Sequence, residues 1–370
     1  MYVRLSTTIR TALSKYTFDH PFNREKKTVG SHSKARVAIG GSGKGELRIV
    51  IVIAVILTIA MIAVTVRLID QTSSHVAKVQ KTRVRLQSSA NFTPEMNAVE
   101  KQIRSDLKNR KNMKAVSYGK MELTKRCFVD IGKMQGLRNL DLSDSDFQSE
   151  WFDELVGSNL YELNVMNTDF SDIGMESIAK IKSLTRLNAK FTTITDKGLL
   201  FFRGHPSLYE LKVDFADVTN EGADSIAAMP NVGQLELVGT KIDGPGIASV
   251  AKLPQLKSIS VGGRFVTLKA ADIRPLKDAK NLVTIQFDSF SADDEFMQEL
   301  STFKNLESIA LVRIPMTEAG FMKLKAMKRL IHIKVDRCST VTQAMIDNLR
   351  KQMKKCLIEY RTQEQINAST

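Results

Sequence analysis

A repeat constrains this chain more than any other feature. In the segment from Pro206, PSLYELKVDFADVTNEGADSIAAM, apolar residues stand at Leu208, Leu211, Val213, Ala216, Val218, Ile226 and Met229. Twenty-four residues on, the same places hold Val232, Leu235, Leu237, Thr240, Ile242, Val250 and Leu253. Twenty-four residues back they hold Leu184, Leu187, Ala189, Thr192, Ile194 and Phe202. Unit starts fall at Asn112, Gly136, Ser158, Lys182, Pro206, Pro230, Pro254, Lys280, Lys304 and Lys328, with a closing half-unit near Lys354. That gives about ten units over residues 112–360. Most intervals are twenty-four; the one after Gly136 is twenty-two and the one after Pro254 is twenty-six. A unit of this size buries only one face, so units must stack.

Each L-x-L predicts a short strand whose alternate side chains face in and out. The segment after the turn, such as Glu221–Met229, has apolar residues at helical spacing. Parallel strands about 4.8 Å apart then line one wall, and helices at nearly twice that spacing line the other. Unequal spacing predicts a curve with the sheet on the concave side. Gly222, Gly246 and Gly320 fall where the chain turns toward the helix, which predicts positive φ or a close approach. The first unit is degenerate, as a capping repeat should be.

The pattern L-x-x-L-x-L-x-x-T-x-I-T-D-x-G-L, seen in Leu184–Leu199 as LTRLNAKFTTITDKGL, resembles a leucine-rich repeat. It is similar to the subtype with a helical outer side, found in many bacterial repeat proteins and beside F-boxes. The unit at Pro254 departs from it, with GGRFVTL in place of the polar turn. The resemblance implies an α/β fold: a leucine-rich-repeat solenoid, with a curved parallel sheet inside and helices outside. It also implies a scaffold or adaptor that binds a protein or peptide on the concave face.

A second feature lies upstream. Ile49 to Val66 reads IVIVIAVILTIAMIAVTV between Arg48 and Arg67. Eighteen residues at about 1.5 Å rise span roughly 27 Å, close to the bilayer core. The two arginines are placed to snorkel into the headgroups. This predicts one transmembrane helix over residues 47–69, making the protein single-pass. Residues 1–46 then form a basic, mostly disordered tail, residues 70–111 a basic stalk ending in a capping helix, and residues 361–370 a C-terminal tail. The capping helix is expected to start at Thr93-Pro94-Glu95 and to bury Met96, Val99, Ile103 and Leu107 as far as about Arg110.

Flanking charge does not settle orientation, because four cations precede the span and five follow it. A short basic tail before a first span usually stays inside, which places the N-terminus on the cytoplasmic side. An alternative comes from MYVRLSTTIRTALSKYTF, the first eighteen residues. They carry Arg4, Arg10 and Lys15, six Ser/Thr and no acid, a composition that suits a cleaved mitochondrial transit peptide and an assembly factor of the inner membrane. The stretch IGGSGKGE from Ile39 to Glu46 lacks the spacing of a phosphate loop and reads as a linker.

The net charge of +14 divides unevenly. Residues 1–46 carry +6, residues 47–111 carry +7, and residues 112–370 only +1. Basic charge therefore flanks the apolar segment instead of forming a patch on the folded domain, which argues against nucleic-acid binding. Cys127, Cys338 and Cys356 show no paired spacing and read as core thiols. No cofactor motif or clustered metal spacing appears. His205 and His332, the repeat region's two histidines, lie several units apart, which argues against an enzyme.

The residues beside the strand leucines point out of the sheet. The candidates for partner contact are Glu162, Asn164, Arg186, Asn188, Lys190, Phe191, Glu210, Lys212, Asp214, Phe215 and Glu236. Phe191 and Phe215 occupy equivalent places in adjacent units; they either anchor a partner or cover the strand edge. Charge also runs along the array: residues 136–176 carry −9 and residues 304–361 carry +8. A partner with complementary ends, or another copy of the domain, fits such a gradient.

Overall fold

The computed structural model describes residues 96–109 and 113–367. The N-terminal tail, the apolar span Ile49–Val66, the stalk and the Thr93–Glu95 helix start lie outside the described residues. Among the described residues, no helix is long and apolar enough to cross a membrane.

The chain first forms helix α1 (Ala98–Asn109). Eleven strands follow: β1 (Ala115–Ser117), β2 (Asn139–Asp141), β3 (Glu162–Asn164), β4 (Arg186–Asn188), β5 (Glu210–Lys212), β6 (Gln234–Glu236), β7 (Ser258–Gly262), β8 (Thr284–Asp288), β9 (Ser308–Val312), β10 (His332–Asp336) and β11 (Leu357–Arg361). They make one sheet in sequence order, and every neighbouring pair is parallel. Most successive strands are joined through a helix: α2 (Lys125–Gly132), α3 (Asp172–Ile178), α4 (Asp196–Leu200), α5 (Asn220–Ala227), α6 (Gly244–Val250), α7 (Ala270–Ile273), α8 (Asp294–Ser301), α9 (Glu318–Phe321) and α10 (Gln343–Gln352). A 3-10 helix, Ser149–Leu155, takes the helix place between β2 and β3. The last element is α11 (Gln363–Asn367).

The molecule is thus an α/β solenoid. Its register explains why the leucine spacing is strict. From β2 to β10 the middle residue of each three-residue strand, and the second of each five-residue strand, forms a single buried row: Leu140, Leu163, Leu187, Leu211, Leu235, Ile259, Ile285, Ile309 and Ile333, none more than 1 % exposed; Val116 and Ile358 continue it at the two ends, 7 % and 4 % exposed. A one-residue slip would turn that row to solvent. The step from Asn139 to Glu162 is twenty-three residues, one longer than the sequence phase suggested.

The turn after the strand explains the threonine of the motif. Thr168, Thr192 and Thr240 are buried, and each hydroxyl donates to the carbonyl three residues back, at 2.6 to 2.7 Å. Cys338 stands at this same place in its unit, and its Sγ donates to Leu311 O at 3.3 Å. Burial pushes its thiol up to about 11. Cys127 is also a buried thiol, whereas Cys356 is only half-buried.

The T-D-x-G segment is a clamp between neighbouring units. Asp196 at the start of α4 accepts the Thr219 N–H at 2.8 Å and the Thr219 hydroxyl at 2.7 Å. Thr219 is in turn the N-cap of α5 and accepts from Glu221 N. Asp172 does the same for Thr195, with both bonds at 2.7 Å. The glycine makes room for that carboxylate: a Cβ at Gly222 would lie 2.3 Å from Asp196 Oδ1. Of the two expectations for Gly222, Gly246 and Gly320, close approach is the one found; none has positive φ.

Helix α1 begins later than expected. Asn97 caps it, with its Oδ1 accepting Glu100 N at 2.7 Å while Glu100 Oε2 accepts Asn97 N at 3.2 Å. Met96 therefore precedes the helix. Ile103 is fully buried, and Val99 and Leu107 pack partly against the same core. Glu100 also accepts the Thr124 hydroxyl at 2.5 Å, which ties α1 to the N-cap of α2. Helix α1 belongs to the same compact unit as the sheet.

Candidate partner-binding surface

One feature recurs in every unit and is not visible in residue types. Five residues after each of β1 to β10 begins, φ turns positive. The series runs Lys120, Asp144, Asn167, Phe191, Phe215, Gly239, Gly263, Ser289, Arg313 and Arg337. The amide of each donates to a carbonyl of the next unit, as Phe191 N does to Asp214 O at 2.9 Å and Phe215 N to Val238 O at 2.9 Å. The turn therefore extends the sheet ladder by one rung, and the left-handed residues form a rim along the C-terminal edge of the strands.

Asn, Asp and Gly adopt this conformation readily, whereas a bulky side chain there is an outlier. Phe191 (φ 54°) and Phe215 (φ 60°) hold it nonetheless. Their rings stack with centroids 4.5 Å apart and planes 8° from parallel. They remain 50 % and 46 % exposed. Phe215 lies over Gly239, where a Cβ would come within 2.4 Å of its ring. The two rings thus stack face to face while each stays about half exposed.

The charged candidates beside them are committed to one another. Arg186 Nε donates to Glu210 Oε2 at 2.7 Å and lies 3.7 Å from Glu162. Lys212 bridges Glu210 at 2.7 Å and Glu236 at 3.2 Å. Lys190 bridges Asp214 at 2.8 Å and reaches Glu236, two strands on. Asn164 Nδ2 donates to Asp141 Oδ1 at 2.8 Å, and Asn188 Oδ1 accepts Lys190 N at 3.4 Å. The network runs unbroken across β3 to β6.

Titration follows the geometry. Asp214, 6 % exposed, is pushed up to about 6 because burial outweighs its bonds to Lys190 and to Val238 N. Burial also opposes the Lys190 ammonium, but its hydrogen bonds to the Asp214 and Glu236 carboxylates and their charges outweigh it and hold the lysine above its usual range. Burial raises the Glu236 carboxyl, yet Lys190 and Lys212 together bring it below the usual carboxylate range.

The structure therefore separates the sequence candidates. Glu210 and Asp214 are buried under their partners. Glu162, Asn164, Arg186, Asn188, Lys190, Lys212 and Glu236 are half-buried and hydrogen-bonded or ion-paired. Only Phe191 and Phe215 remain both exposed and uncommitted to polar partners. His205 has a structural role: its Nε2 donates to Ile181 O at 3.1 Å and its Nδ1 accepts from Leu208 N at 3.2 Å. The tautomer follows because a carbonyl only accepts. Among the described residues, no group of three or more His, Cys, Asp or Glu is placed to hold a metal ion.

No family model matches the chain, and no curated protein sequence does. Among solved structures it is similar to an internalin from Listeria monocytogenes, at 16 % identity over 70 % of this chain and 71 % of that one, with a TM-score of 0.47.

Proposed function

We propose that this protein is a membrane-tethered leucine-rich-repeat module that binds a protein or peptide partner at the open sheet face and its C-terminal rim. The Phe191–Phe215 stack carries this reading. Two half-exposed rings, held in a backbone state unfavourable for phenylalanine, sit on a rigid sheet. Aromatic anchors of this kind supply most of the energy in protein interfaces. The saturated charges beside them set shape and steer approach, because displacing any one breaks a pair already made.

A photo-crosslinking residue in place of the exposed Thr193, in the intact protein in its own membrane, tests the surface. The expected result is a discrete protein adduct that disappears when Phe191→Asn and Phe215→Asn are introduced, with expression and melting temperature unchanged. An adduct indifferent to both rings would overturn the reading.

The tether rests on Ile49–Val66 and its flanking arginines. Alkaline extraction should leave the protein in the membrane pellet, and protease protection should place the N-terminus on the cytoplasmic side; release into the supernatant would remove the tether. A second reading, an assembly factor of the mitochondrial inner membrane, draws on the acid-free, Ser/Thr-rich start of the chain. A mature N-terminus beyond Phe18 would favour it.

A further inference from the structure

The rim is not uniform along its length. Its N-terminal part displays exposed acids, Asp144, Asp146 and Asp169. Its C-terminal part carries Arg313 and Arg337, half-buried and paired with the buried Asp288 and Asp336 of their own chain, so that each adds a cation to a region of net positive charge. Between them the Phe191–Phe215 stack is followed by Gly239 and Gly263. Lys120, which opens the series, stands outside the pattern; from Asp144 to Arg337 the two ends are opposite in charge about β6, the central strand of the eleven.

We propose that this rim is a self-complementary interface on which a second copy of the chain docks antiparallel, about a two-fold axis beside Gly239. The inference rests on the reading of the rim as a binding surface and names its partner. Counting units outward from β6, such an axis sets β2 against β10, β4 against β8 and β5 against β7. Asp144 then faces Arg337, Phe191 faces Ser289, and Phe215 faces Gly263. Acids meet arginines twice, once at each end, and the ring edges meet positions with small side chains or none.

Two further details fit. Phe265, two residues beyond Gly263, is 74 % exposed, and the same axis brings it to the unit carrying Phe215 of the second copy. Lys241, which lies nearest the axis and would oppose itself, is already paired with Asp217 at 2.5 Å. A foreign partner would have to present the same series in reverse, whereas a second copy does so by symmetry. An isologous contact of this kind closes on itself, so it produces dimers and not fibres.

Light scattering on the full-length protein in non-ionic detergent, over a concentration and salt series, tests the proposal. The expected species is a dimer that weakens as salt rises. Asp144→Arg with Asp146→Arg should weaken it about tenfold or more, through like charges brought face to face. Both sites are exposed, and an unchanged melting temperature shows that the variant folds. Ser339 is exposed beside Arg337. A chain carrying Ser339→Glu, mixed with the double-arginine chain under a different tag, should form the mixed dimer in preference to either parent. A wild-type chain that stays monomeric overturns the proposal, as does a dimer indifferent to the reversals and to Phe215→Asn, or a mixture that fails to pair. If the chain is monomeric yet a foreign adduct at Thr193 still requires Phe191 and Phe215, self-association is lost while the binding-module reading stands.

Discussion

The two halves of the solenoid share a backbone and differ in how they pair charge. Across β3 to β6, Lys190 and Lys212 each touch two acids, and Glu210 and Glu236 each touch two cations. Toward the C-terminus one buried acid serves several cations. Asp336, 3 % exposed, accepts from Arg361 Nη2 at 2.8 Å, has Arg337 Nε at 3.2 Å as an ion pair without hydrogen-bond alignment, and has Lys334 at 3.8 Å. The first arrangement is redundant and the second is a hub. The repeat therefore fixes where side chains stand and leaves their pairing free to vary.

The shared frame is tested by the largest effect. Leu211→Ala and Ile309→Ala remove equivalent rungs of the buried row, one in each half. Each should cost about 2–5 kcal/mol in urea unfolding, the range for a truncated core aliphatic. A loss near zero in one half would mean that the halves do not share a core. Charge pairing comes next. Asp336→Ala removes the acid shared by Arg361, Arg337 and Lys334 and should cost about 1.5–3 kcal/mol, the range for hydrogen bonds to a charged group. Glu236→Ala leaves Lys190 its Asp214 and Lys212 its Glu210, so it should cost about 1 kcal/mol or less. Equal losses would erase the distinction between hub and network.

A smaller effect depends on pH. The Asp214 carboxyl titrates near 6 in the folded protein and near 3.8 unfolded, so the folded state binds the extra proton between those values. Its contribution to stability is fully present below 3.8 and is lost as pH rises through 6. Relative to Asp214→Asn, the wild type should gain on the order of 1 kcal/mol between pH 7 and pH 5. The opposite sign would show that Lys190 dominates the site. The smallest change is Phe191→Asn. Losing the stack costs about 0.5–1.5 kcal/mol, and relief of left-handed strain offsets about as much. Melting should barely move.

The buried rows were legible in the sequence because strands and helices impose fixed periods on apolar residues, and Leu211 or Ile309 can be placed by counting. The left-handed rim was not, because its residues range from Lys120 to Phe215 to Arg337 and only Asp144, Asn167, Gly239 and Gly263 hint at the backbone. Nor was the saturation of the charges. Lys190 and Glu236 are forty-six residues apart, and their contact depends on a side chain reaching over an intervening strand. The longer strands from β7 onward coincide with isoleucine replacing leucine in the buried row, a signal that counting leucines passes over. The candidate list thus held the two exposed rings, Phe191 and Phe215, among nine residues already engaged with neighbours.

The rim has a consequence for how such a surface changes over generations. Its ten positions hold Lys, Asp, Asn, Phe, Gly, Ser and Arg, all at positive φ. A single codon change there alters what the edge displays while every amide keeps its bond to the next unit. If the rim binds as proposed, its specificity can drift one step at a time through folded intermediates, because the display and the scaffold are inherited separately.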